Sequence, residues 1–313
     1  MNIDIIGKRY VFFFVSLAII LPGLILGVVM YATGQLPLAI DFTGGTLIEI
    51  QLTSDQNPQP ADLVLLYKNI GIDDVKVQTT SQGTFVARSS VLDEDVPGMI
   101  IEEMENKFDA DVTILRIESV GPTVGREVTQ RAALAVAFAA IIVVFYITFA
   151  FRGIPNAFHY GVCAIIAMIH DVLVVFSITA IGSYLLGWQI DALSLTALLT
   201  VIGFSVQDKI VVFDRIRENS SIYRRLPYET LVNHSIVQTL QRSINTQLMT
   251  VEFMLLALAL FGGVTLKPFA WTMLIGLFSG TYSSIFIAAP LLVIWENREW
   301  RTWFNRKESP AAV

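Results

Sequence analysis

Apolar residues fall into six runs long enough to cross a membrane, and most of the polar residues gather between the first two. The runs cover roughly 11–31, 132–151, 160–186, 193–213, 242–261 and 269–295, against the roughly 20 apolar residues that a helix needs to span a hydrocarbon core of about 30 Å. The fifth is the weakest, because Arg242, Asn245, Gln247 and Glu252 interrupt it, but residues 255–261 are strongly apolar and the flanking loops need a return crossing. Between the first two runs the periodicity changes from segment to segment. Residues 46–52 alternate as a strand, 61–70 suit a helix, 74–79 and 84–89 suit strands around Ser81-Gln82-Gly83, 96–108 suit a helix and 112–119 a strand. That β-α-β-β-α-β order predicts a ferredoxin-like α+β domain. The expected organisation is therefore a first span within 1–33, an outer domain over 34–130, a helical bundle over 131–295 and a tail over 296–313.

Six crossings put both termini on one side. Lys8 and Arg9, Arg152, then Arg215, Arg217, Arg224 and Arg225, and finally Arg298, Arg301, Arg306 and Lys307 all fall on that same side. The opposite short loops, 187–192 and 262–268, carry only Lys267. Positive residues mark the cytoplasmic face, so both termini are expected there, in a cytoplasmic (inner) membrane. The first run is too long for the core of a secretory signal and no small-x-small cleavage site clearly follows it, so it reads as an uncleaved span.

Composition sharpens this picture. Hydrophobic residues make up 54% of the chain, charged residues 15%, and the mean hydropathy is +0.62, where a soluble chain is nearer one quarter charged. The net charge of −6 and the lack of a basic domain argue against nucleic-acid binding. Cys163 is the only cysteine, which excludes a disulfide or a cysteine-ligated zinc within one chain. With no phosphate-binding glycine loop, metal cluster or nucleophile-base constellation, the sequence does not read as an ATPase, hydrolase or other enzyme, and no cofactor is expected.

The candidate chemistry sits in the fourth run. Asp208 is a carboxylate within an apolar stretch, and an ionised group in hydrocarbon costs roughly 2.5 to 3.5 kcal/mol on insertion scales, so such residues mark ion or proton pathways. Helical spacing places Ser205, Asp208, Val212 and Arg215 on one stripe. His170 and Asp171 lie inside the third run, where packing and an accessory place in a relay are equal readings. Gly23 with Gly27, and Gly276 with Gly280, give the small-xxx-small spacing of close helix packing.

Three motifs taken in order carry a resemblance. Asp41-Phe42-Thr43-Gly44-Gly45-Thr46 follows the first run, Gly121-Pro122-Thr123-Val124-Gly125 precedes the second, and Phe213-Asp214-Arg215-Ile216-Arg217-Glu218-Asn219 ends the fourth. With His170-Asp171, Phe261-Gly262-Gly263 and Gly280-Thr281-Tyr282-Ser283-Ser284-Ile285-Phe286, this pattern closely resembles the SecF half of the SecD/SecF family over nearly the whole chain. The resemblance implies a half-transporter related to the resistance-nodulation-division exporters. It would pair with SecD and use the proton gradient to help preproteins leave the SecYEG channel. Membrane lipids would surround the bundle.

By the same resemblance Asp208 is the family's intramembrane aspartate and Arg242 its arginine, with Asp41, Gly44, Gly45, Asp214 and Arg215 as family motif positions. Burial favours a protonated carboxyl and a nearby guanidinium favours the ionised one, so a movable partner switches proton affinity. A static ion pair is the plainer alternative. Two positions depart from the family: Gln207-Asp208-Lys209 stands where Asn-Asp-Thr is usual, and Glu252 where an apolar residue is usual. Opposite signs suggest a Lys209–Glu252 pair, although Glu252 lies about 15 Å along its helix from Arg242 and Lys209 nearer the cytoplasm. Lys209 also admits sodium as the coupling ion in place of the proton. An ion-coupled exporter of lipids or small molecules and a structural scaffold for SecD are the rival functions.

Overall fold

In the computed structural model the described residues are 4–34, 36–53, 58–80, 83–152, 157–247, 253–263 and 266–299. They form two compact units: Met1–Leu36, Val136–Leu185 and Ser194–Val313 make one, and Pro37–Ala135 with Leu186–Leu193 the other.

The smaller unit is a four-stranded antiparallel sheet with two helices. Its elements are a short helix α2 (Ile40–Thr43), β1 (Gly45–Thr53), α3 (Pro60–Asn69), β2 (Lys76–Thr79), β3 (Phe85–Ser89), α4 (Val96–Phe108) and β4 (Asp111–Val120). The strand order is β2-β3-β1-β4. Alternation in β1 turns Ile48 and Ile50 inward, where they meet Leu63, Leu66 and Tyr67 of α3 and Ile100 and Met104 of α4. A capping box between Gln59 and Asp62 with Pro60 in the first turn starts α3, and a left-handed Asp109 ends α4.

One side chain works against this unit. Arg88 on β3 stands directly opposite Lys76 on β2, and among the described residues its Nε is buried without a hydrogen-bond partner. Burial, and then the charge of Arg116, push its guanidinium down to about 10. Because the folded-state value lies below the unfolded one, the fold bears this cost at every pH below about 10 and sheds it only above. Arg88→Met is therefore expected to slow hydrogen exchange of the β3 amides in the full chain by roughly tenfold or more, a tenfold change in proton affinity being about 1.4 kcal/mol. Unchanged or faster exchange would show that the arginine is well accommodated.

The larger unit is helical. It draws on α1 (Arg9–Ala32), α5 (Pro122–Ala150), α6 (Ala157–Leu186), α7 (Ala192–Ile222), α8 (Tyr228–Gln247), α9 (Phe253–Phe261), α10 (Leu266–Ser283) and α11 (Ala289–Glu296). A π turn, Ser284–Ala288, joins the last two into one long helix. Among the described residues five helices are long and apolar enough to cross a membrane: Arg9–Ala32, Pro122–Ala150, Phe158–Leu186, Ala192–Ile222 and Leu266–Glu296. The expected fifth run is not one of them, because 248–252 lie outside the described residues between α8 and α9. Helix α7 outlasts its apolar run by nine residues' worth of polar sequence because Asp214–Arg217 at 2.7 Å and Arg215–Glu218 at 2.6 Å pair charges one turn apart. After it, α8 buries a stripe of Leu231, Val232, Ser235, Ile236, Thr239 and Ser243. The glycines pack as expected of small residues. A Cβ on Gly23 or Gly27 would run into Ser177 or Phe176 of α6, and one on Gly276 into Val201 of α7.

Candidate functional site

Asp208 lies on the inward stripe of α7 and is only 7% exposed. Its carboxyl is held by two hydroxyls from other helices: Ser243 Oγ of α8 is 2.8 Å from Oδ1, and Ser284 Oγ of the π turn makes a short bond to Oδ2. Ser284 Oγ also lies 2.8 Å from the carbonyl of Thr281. A hydroxyl has one proton to give, so it cannot donate to both acceptors. When Asp208 is protonated it donates to Ser284, which donates to Thr281. When Asp208 is ionised, Ser284 must turn its proton to the carboxylate. The π turn is what brings Ser284 to this position, and such turns recur at functional sites.

Arg242, on the exposed side of α8, lines one open cleft with Asp208, Gln207, Ser243 and Thr246. The carboxyl thus rests on serines while Arg242 lines the same cleft. Ser284→Ala removes one of the two hydroxyls on this carboxyl, a hydrogen bond worth roughly 1.5 kcal/mol when the acceptor is charged. It should lower the melting temperature of the detergent-purified chain by roughly 3 °C or more, and unchanged melting would make Ser284 a packing residue.

A second carboxylate is bound far more densely. Asp171 of α6 is 1% exposed in its side chain, and Lys209 of α7 is fully buried. Lys209 Nζ donates to Asp171 Oδ2 at 2.7 Å, to the Ser205 carbonyl at 3.3 Å and to Ser205 Oγ in a short bond. Ser205 Oγ and Ser283 Oγ donate to the same Oδ2 at 2.5 and 2.7 Å, and Ser279 Oγ to Oδ1 at 2.7 Å. His170 Nδ1 lies 3.1 Å from Oδ1, which fixes a proton on that nitrogen, and its Nε2 meets Ser16 Oγ of α1 at 2.9 Å. Three N–H directions of the ammonium and five contacts on the carboxylate leave this pair saturated.

The structure so gives Lys209 a partner other than the one expected from the signs of the departures. Its three donors are committed to Asp171 and Ser205, and Glu252 falls outside the described residues. The depth mismatch along the helices already counted against a Lys209–Glu252 pair. Of the residues singled out from sequence, Asp208 shares a cleft with Arg242, while His170 and Asp171 join Lys209 in the second cluster.

The motif positions are structural in this arrangement. Asp41 Oδ2 accepts the Ala192 amide at 2.9 Å, the first of α7, placing a negative charge at a helix N-terminus. Residues 37–39 run beside Ile190 through bonds of 2.7 and 2.9 Å. Gly44 and Gly45 have φ of 75° and 127°, which side chains resist, and a Cβ on Gly44 would press on Pro122. Arg215 also reaches Gln238 at 2.7 Å, and Asn219 donates to Ser235 at 2.8 Å, which ties α7 to α8. Sequence reasoning passed over Ser243 and Ser279 and gave Ser283 and Ser284 no role. Their spacing offered one signal: Ser279, Ser283 and Ser284 recur at helical intervals opposite the Ser205–Asp208 stripe.

Comparison with known proteins agrees with this arrangement. The family described as protein export membrane protein SecD/SecF, C-terminal, matches residues 100–298, and the SecD/SecF GG motif matches residues 32–56. The chain is 64% identical over 311 residues to protein translocase subunit SecF of Anaerolinea thermophila, covering 99% of this chain and 100% of that one. It is 46% identical to the subunit of the same name from Thermobaculum terrenum, covering 99% of each. Among solved structures, the crystal structure of SecDF, a translocon-associated membrane protein from Thermus thermophilus, superposes with a TM-score of 0.80 at 33% identity. That match covers 95% of this chain and 39% of the longer one.

Proposed function

The chain belongs to the SecD/SecF family of protein-export membrane proteins and is a SecF-type subunit of the protein translocase, and from that premise we propose that it pairs with SecD and couples proton flow to export. Asp208 carries the proton and Arg242 is the movable counter-charge. The observation that carries this reading is the cleft they share, in which the Asp208 carboxyl is held by Ser243 and by a Ser284 hydroxyl with two acceptors and one proton. In the protonated state Asp208 is neutral and Arg242 is released toward the open side of the cleft. When the proton leaves, the carboxylate draws the guanidinium inward. That exchange moves α8 against α7 and the π turn, a displacement available to drive an outer domain.

The remaining expectations join this reading. The span expected at 242–261 completes six crossings, with both termini cytoplasmic. The β-α-β-β-α-β order and the β2-β3-β1-β4 sheet support a ferredoxin-like outer domain acting on preproteins at the exit of SecYEG. The match covers 100% of the SecF subunit of Anaerolinea thermophila and 39% of the solved SecDF chain.

Depletion of the protein followed by precursor secretion under an imposed proton gradient tests the function. Export should lose its gradient-dependent component. Normal export with a selective loss of small-molecule efflux would favour an exporter instead.

A further inference from the structure

We propose that the oxygen cluster of Asp171, Ser205, Ser279 and Ser283 is a binding site for a hard monovalent cation of the sodium class, and that the ammonium of Lys209 occupies it as a tethered substitute. The site is distinct from the Asp208 cleft. The groups that meet the ammonium are all oxygens, the Asp171 carboxylate with the hydroxyl and carbonyl of Ser205, and the hydroxyls of Ser279 and Ser283 hold that carboxylate in place. One full negative charge with neutral hydroxyl and carbonyl dipoles suits a single positive charge, and oxygen donors suit hard cations.

Three helices, α6, α7 and α10, deliver these groups to one buried point, and Lys209 comes from the same helix as Ser205, one turn along. The ammonium touches Asp171 Oδ2, the Ser205 carbonyl and Ser205 Oγ. A free ion with the same contacts would be read as bound. Its side chain is fully buried, so the ammonium stays in place instead of reaching for the interface. Among the described residues its charged or titratable neighbours are His170 on α6, hydrogen-bonded to Asp171, Asp208 on α7, and Tyr282 on α10, whose ring stacks on His170. With the cage filled by a covalently attached charge, sodium has no access to it. Coupling is then left to the proton at Asp208.

Removing the tethered charge should open the cage. Purified full chain in detergent is melted in sodium, potassium or choline chloride at equal ionic strength. The wild-type chain should show no sodium-specific shift and no saturable binding of radioactive sodium. Lys209→Ala should melt roughly 3 °C higher or more in saturating sodium than in choline and bind sodium saturably. Adding Asp171→Asn to Lys209→Ala should abolish both effects. Saturable sodium binding by the wild-type chain that is lost in Asp171→Asn would overturn the proposal, as would equal melting of Lys209→Ala in sodium and choline. Should Lys209→Ala fail to accumulate, membranes prepared in sodium should rescue it. Failure in both salts, while Asp171→Asn/Lys209→Met accumulates, would also overturn the cage.

Discussion

Asp208→Asn is expected to reduce gradient-dependent export to the level of a depleted strain while the protein still accumulates in the membrane. Asparagine fits the site as a copy of the protonated carboxyl. Its Oδ1 can accept from Ser243, its Nδ2 can donate to Ser284, and Ser284 can then donate to Thr281. Every polar atom keeps a partner, so the fold has no reason to fail. What is lost is the ability to exchange charge, and Arg242 is never drawn in. Quantifying the variant in membranes and timing precursor export in the same cells separates the two effects. Full export would make Asp208 a structural residue.

Asp171→Ala should have the opposite profile, with the protein itself failing. The substitution leaves the Lys209 ammonium buried without its counter-charge and deprives Ser205, Ser279, Ser283 and His170 of a shared acceptor. Breaking a buried pair by removing one partner costs about 3 to 5 kcal/mol, a large share of the roughly 5 to 15 kcal/mol that holds a typical fold together. Asp171→Asn combined with Lys209→Met removes both charges and should recover most of the melting temperature. Equal instability of the single and double variants would show that the carboxylate matters as a hub for hydroxyls and not as a counter-charge. The two aspartates thus differ in kind, one lightly held beside an open cleft and one saturated in the core.

Much of the smaller unit was legible before any coordinates. Alternation exposes strands directly, and the helix expected over 96–108 is α4 residue for residue. Ser81-Gln82-Gly83 supplied the turn between two of the strands. The bundle was legible as apolar runs but not in its junctions. Helix α7 continues through Asp214–Glu218 because the charges pair within the helix, as a salt-bridged helix end leaving the membrane would. Nothing in Ser284–Ala288 announces a π turn.

The site divided along the same line. Asp208 stood out because a lone carboxylate in an apolar run is costly. The partner of Lys209 did not, since sign and spacing nominate any acidic residue at similar depth. Which helices face each other depends on packing: Gly276 and Gly280 let α10 close on α7, and that contact is what delivers Ser279 and Ser283 to Asp171. Serines in apolar helices leave too small a mark on the hydrophobic pattern to be assigned a task.

Infrared difference spectra of the protein with its SecD partner, taken between acidic and alkaline buffer, test the proton assignment most directly, because a carboxyl that takes up a proton gains a C=O stretch absent from the carboxylate. The expected result is a protonated-carboxyl component that the wild-type spectra contain and the Asp208→Asn spectra lack, left over when the variant's spectra are subtracted from the wild type's. Superimposable spectra in that region would contradict proton carriage by Asp208.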